Sequence, residues 1–229
     1  AFIMQNRDAG AIIISAHGNY QPERNMSCLM IGDEPWIADD MKWIPPLVML
    51  SSCHSAPRGR GCINTADLFL RTGAIAVLAS NIPINAYRNS IIFTRVVLYI
   101  LEAQKGSKQY HNLSELWVGV ANGNAVLEIM QESQGLQKWF YGRNNDGVLR
   151  LQDFELNRAN RRGMRPAFIY EDTIKILKEM LEEEGMAGKY DAILYNENYF
   201  PEASFYHFLG APENIMIYNE IYEMMGDQE

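Results

Sequence analysis

Apolar residues along this chain come first in short unbroken runs and later at helical spacing. "AIIIS" (11–15), "LVMLSS" (47–52) and "AIAVLAS" (74–80) are brief, continuous runs, the pattern of strands covered on both faces in a parallel sheet. "CLMI" (28–31) is a weaker strand candidate. "WIADDMKWI" (36–44) predicts a short helix or turn, closed by Pro45 and Pro46. "NTADLFLRTG" (64–73) predicts a helix with Asn64 as cap, Asp67 three residues on and Gly73 as stop. Two long helical patterns follow, about 86–104 and 112–132, separated by "KGSKQYHN". Residues 135–166 are polar and low in periodicity. "YEDTIKILKEMLEEEG" (170–185) is amphipathic, with Ile174, Leu177, Met180 and Leu181 on one face. "DAILYN" (191–196) and "FYHFLG" (205–210) predict late strands.

Apolar strands alternating with helices predict an α/β fold, a mostly parallel sheet sandwiched between helices. In such sheets ligands gather in the crevice beyond the carboxyl ends of the strands. His17 follows the first such run and Cys53 the second, 36 residues later, enough for a crossover to a neighbouring strand.

Composition adds bounds rather than identity. The 229 residues suit one elaborated domain, and 48% hydrophobic with 21% charged residues is ordinary for a globular chain. A net charge of -8 argues against nucleic acid as the main partner. The stretch Gly135 to Pro166 runs the other way, with seven basic residues (Lys138, Arg143, Arg150, Arg158, Arg161, Arg162, Arg165) against three acids. A solvated face or a docking surface for an acidic neighbour accounts for it, and a path along a phosphate backbone is the alternative. Three scattered cysteines make no disulfide framework, so a reducing, cytoplasmic setting is expected. No apolar run approaches the ~20 residues of a membrane span, and the first ten residues lack the pattern of a secretory signal. The opening Ala, not Met, fits a segment of a longer protein.

A thiolate attacks a peptide carbonyl, and an adjacent imidazole takes the thiol proton. The oxyanion needs donors already in place, and Gly18, with no Cβ to hold substrate away, fits one; the Cys53 amide is the natural second. Strand alternation puts Ser51 on the same side as Cys53, so it is a candidate for lining the substrate pocket. Ser80 and Asn81, in "SNIPI" past the third strand, would form another wall. Taken alone, a buried Cys is more often a small apolar residue than a nucleophile. A zinc site from His17, Cys53, His54 and Cys62 is a further alternative, although no pair has C-x-x-C or H-x-x-x-H spacing. The G-x-S-x-G elbow, G-x-G-x-x-G and G-x-x-x-x-G-K-[ST] are all absent from the sequence.

The series His17-Gly18, Ser51-Ser52-Cys53, Gly59 to Gly61, Thr72-Gly73-Ala74 and Ser80-Asn81-Ile82-Pro83 resembles the CHAT group of caspase-like cysteine peptidases. "YHFLGAPENIMI" (206–217) resembles that group's last strand. The resemblance covers about residues 11–132 and 205–217, leaving 135–200 as an insertion before the last strand. It implies a caspase-like fold and peptide hydrolysis by a dyad, with His17 as base, Cys53 as nucleophile and Gly18 as oxyanion donor. It implies no metal or organic cofactor. Its sheet normally begins with strands before the one carrying His, so those strands would lie upstream, come from a partner chain or be missing, and neighbouring domains or chains would gate the loops near Gly59 and Asn81. Ser51 stands where relatives choose the substrate side chain. Asp33, Asp39 and Asp40 could favour a basic one, or be merely solvated. His54 could raise thiolate content if charged, or be a plain loop residue. A catalytically silent scaffold that docks a partner is the competing expectation.

Overall fold

The computed structural model describes residues 8–37, 41–105, 110–160, 168–194 and 200–217. The chain divides into two compact units: residues 1–117 with 205–229, and residues 118–204 between them.

In the first unit a four-stranded sheet has the order β1 (Ala11–Ser15), β5 (Leu47–Ser51), β6 (Ala76–Ser80), β7 (Tyr206–Gly210). The first three run parallel and β7 is antiparallel to β6, making a mixed sheet of mostly parallel strands. A second, antiparallel sheet is built from β2 (His17–Gln21), β3 (Met26–Ile31) and β4 (Glu34–Trp36). Strand alternation decides which helix each face meets. Val48 and Leu50 of β5 and Val77 and Ala79 of β6 pack with Ala66, Leu68 and Phe69 of α1 (Thr65–Thr72). Toward the other face, Asn89 of α2 (Ala86–Gln104) reaches Ser51, and Phe93 meets Tyr206 edge-on at 6.3 Å.

Helix α1 forms for the local reasons its sequence states. The Asn64 side chain accepts from the Asp67 amide at 2.8 Å and donates to the Asp67 carboxylate at 2.7 Å. Gly73 ends the helix at φ 119°, a backbone region costly for any residue with a Cβ. β5 and β6 are buried along nearly their whole length, as their apolar runs predict.

Three expectations are corrected. β1 is not covered on both faces: it is the edge of the sheet, Ile12 and Ile14 pack on the core and Ile13 is 47% exposed. The described part of 36–44 is not helical; Trp36 ends β4, and residues 37 and 41–46 lie in neither helix nor strand. The described part of "DAILYN" lies in α7 (Ala187–Leu194), not in a strand. Met186, Ala187, Tyr190 and Ile193 recur at three- and four-residue spacing, and all pack on one helical core, so tertiary burial selects the helical period.

That core belongs to the second unit, whose 118–204 boundary falls inside α3 (Leu113–Gln131) and takes in most of the expected insertion. Val126 and Ile129 of α3, Leu136 and Phe140 of α4 (Gln134–Phe140), Phe154 of α5 (Arg150–Asn160) and Leu177 of α6 (Ile169–Glu183) meet with Tyr190 of α7. The stretch with little visible periodicity is therefore helical in good part. Among the described residues no helix is long and apolar enough to cross a membrane.

Candidate active site

The parallel register pairs Ser15 with Ser51, an offset of 36, so His17 and Cys53 each stand two residues beyond the last pair of the same two strands. There the chains part. Ala16 donates to the Ser51 carbonyl at 3.3 Å, and the next residue, His17, opens β2 in the second sheet, paired with Met30. His17 thus begins a new strand at the crossing between sheets rather than ending the first one, and it is exposed.

Gly18 brings the two segments together. A Cβ added there would lie 1.7 Å from the Cys53 carbonyl oxygen and 2.6 Å from the Ser52 hydroxyl, so only glycine lets β2 lie against the Cys53 turn. The expectation that Gly18 makes room for substrate needs this amendment: the space its missing side chain leaves is filled by the Cys53 main chain.

The turn itself is tightly held. Ser55, fully buried, donates to the Ser52 carbonyl at 3.2 Å and accepts from the Ser80 amide at 3.0 Å. Ala56 donates to the Ser80 carbonyl at 2.9 Å. His54 sits at φ 49°, left-handed backbone that costs a non-glycine residue about 1–2 kcal/mol, and its amide donates to the Ile82 carbonyl at 3.3 Å. A strained residue directly after the candidate nucleophile, over-determined by its surroundings, is the sort of feature that clusters at functional sites.

The half-buried Cys53 thiol accepts from the Ile84 amide at 3.4 Å and lies 3.9 Å from the Ile84 carbonyl. Among the described residues no hydrogen bond joins it to His17, and the Cys53 amide has no acceptor. Cys28 and Cys62 are also free thiols, and burial pushes both above the usual thiol range. The proposed zinc set does not assemble: among the described residues no three His, Cys, Asp or Glu side chains group closely enough to hold a metal ion.

The pocket candidates divide. Ser51 is held from both sides: Asn89 donates to its hydroxyl at 2.5 Å, and it donates to Ser15 at 3.4 Å. Tyr206 in turn donates to the Asn89 side-chain oxygen, Oδ1, at 2.8 Å. Ser80 is fully buried, and its hydroxyl closes onto the Ile82 carbonyl at 2.9 Å, so it shapes the loop and offers a ligand no surface. Asn81 donates its main-chain N–H to the Phe205 carbonyl at 3.1 Å, while its side-chain oxygen is buried with no donor among the described residues. Asp33 lies exposed in the β3–β4 turn, and Asp39 and Asp40 fall outside the described residues. In the basic stretch, Arg150 pairs with Glu184 at 2.9 Å, and Arg161, Arg162 and Arg165 fall outside the described residues.

Sequence reasoning missed Ser55, Ile84, Asn89 and Tyr206. Asn89 left a signal, a polar residue on the face of α2 that otherwise buries Ile92, Phe93 and Val96. Ile84 left none, because it acts through its main chain. Comparisons with family models, curated proteins and solved structures find no match to this chain.

Proposed function

We propose that this chain is a cysteine endopeptidase domain of the caspase-like, CHAT type, acting on protein substrates in the cytoplasm. In this reading His17 takes the Cys53 proton, the thiolate attacks the substrate carbonyl, and the Cys53 and Gly18 amides receive the oxyanion. The observation that carries it is the packing of Gly18 against the Cys53 main chain, which gives the His17 strand and the Cys53 turn a common rim. The unpaired Cys53 amide and the strained His54 backbone support the same reading. Upstream domains or a partner chain would gate it. The test is cleavage of candidate protein substrates by the chain. Cys53→Ala and His17→Ala are each expected to lose about 10³-fold or more; undiminished cleavage by either ends the proposal.

One observation favours a second reading, a catalytically silent docking scaffold: the thiol is engaged by Ile84 and not by the imidazole. A peptide probe with a thiol-reactive head group separates the two. Labelling of Cys53 ahead of Cys28 and Cys62 at neutral pH supports the peptidase, since burial disfavours thiolate at the other two.

A further inference from the structure

The loop between β6 and α2, residues 81–85, grips the Cys53 turn with its main chain. The Ile84 amide donates to the Cys53 sulfur at 3.4 Å, and the thiol donates back to the Ile84 carbonyl at 3.9 Å. One residue further along the turn, the His54 amide donates to the Ile82 carbonyl at 3.3 Å. The loop is itself held in shape. The Ser80 hydroxyl donates to the Ile82 carbonyl at 2.9 Å and accepts from the Ile82 amide at 3.3 Å. The Asn81 amide donates to the Phe205 carbonyl at 3.1 Å, and Asn85 caps α2 by accepting from the Tyr87 and Arg88 amides.

Cys53 therefore spends both hydrogen-bonding roles of its thiol on one residue. Attack on a carbonyl requires the S–H proton to pass to a base, and here that proton is directed at a main-chain oxygen, which cannot take it. Two features make the grip easy to break. Hydrogen bonds to sulfur are weak, so a small displacement of the loop ends them. The same loop also holds His54 in left-handed backbone at φ 49°, and freeing Ile82 relieves that strain.

We infer that the 81–85 loop is an autoinhibitory latch: Ile84 keeps the Cys53 S–H turned toward its own carbonyl, and displacement of the loop hands the proton to the His17 imidazole, leaving a thiolate. The transfer to His17 rests on the peptidase reading, whereas the grip of Ile84 on the sulfur does not.

The test is iodoacetamide alkylation of the full chain, followed thiol by thiol by mass spectrometry, with Cys28 and Cys62 as internal references. Ser80→Ala removes both bonds that shape the loop at Ile82. It is expected to speed alkylation of Cys53 about three- to ten-fold and leave Cys28 and Cys62 unchanged. His17→Ala alone is expected to change the latched chain less than about two-fold, but added to Ser80→Ala it takes back most of the gain. A Cys53 rate that Ser80→Ala leaves flat overturns the latch; a gain that His17→Ala does not reduce overturns the transfer to His17. Should all three thiols speed up together, the variant has opened the whole fold, and hydrogen exchange in Cys53→Ala decides instead. There the Ile84 amide is expected to exchange several-fold faster while the Asn81 amide keeps its rate, and unchanged exchange at Ile84 overturns the latch. Failure of the latch and failure of the peptidase read out separately. The first leaves alkylation flat in Ser80→Ala with substrate cleavage still lost in Cys53→Ala; the second leaves alkylation raised with cleavage indifferent to Cys53→Ala.

Discussion

The rim at Cys53 and a surface cleft of the helical unit, lined by Trp139, Asp153 and Glu184, are built from different materials. At the rim the contacts are main-chain ones: Gly18 against the Cys53 carbonyl, Ala56 on the Ser80 carbonyl, His54 on the Ile82 carbonyl. At the cleft they are long, partly solvated side chains, with Arg150 on Glu184 and two carboxamides on Asp153. Main-chain contacts have no rotamers with which to absorb an added atom, whereas side-chain contacts adjust or are replaced by water. The rim is thus expected to be intolerant and the cleft tunable.

The hardest test of this contrast is Gly18→Ala. One methyl group placed 1.7 Å from a carbonyl oxygen forces β2 away from the Cys53 turn, and a loss of at least about 3 kcal/mol is expected in urea unfolding followed by circular dichroism. A loss below 1 kcal/mol, as an order of magnitude, would mean the two segments are not packed as described. Next comes Ser55→Ala, which strands the Ser80 amide and the Ser52 carbonyl in a buried place. About 1–3 kcal/mol is expected, with faster hydrogen exchange at the Ser80 amide. Smallest is Glu184→Gln at the cleft. Its ion pair with Arg150 is partly exposed, so the change should stay below about 1 kcal/mol in the same unfolding measurement. A larger loss there than at Ser55 would reverse the comparison.

Much of the first unit is legible in its residues. Helix α1 is specified by partners three residues apart, Asn64 and Asp67, and by the glycine that stops it. β5 and β6 are legible because strands buried on both sides need unbroken apolar runs. β1 misleads for the complementary reason: its three isoleucines have the composition of a central strand, yet its place at the sheet edge leaves Ile13 outside. In the second unit, the β-rich look of "AILY" gives way to a helix once Tyr190 and its neighbours find a helical core to fill. The local propensity there is weak, and burial of a large aromatic ring outweighs it.

By itself the sequence determined which residues are available for chemistry and roughly where they fall: a histidine and a cysteine just beyond two apolar strands, a capped helix between them, and basic residues in a segment set apart. Only the tertiary structure decided that β1 and β5 pair at an offset of 36, that His17 opens a second sheet, and that the space beside Gly18 belongs to the Cys53 carbonyl. The reason is one of range. Caps and periodicity act between residues a turn apart and leave their mark in the sequence, while the contact between Gly18 and Cys53 depends on strand register. Register is the joint outcome of burial across the whole sheet.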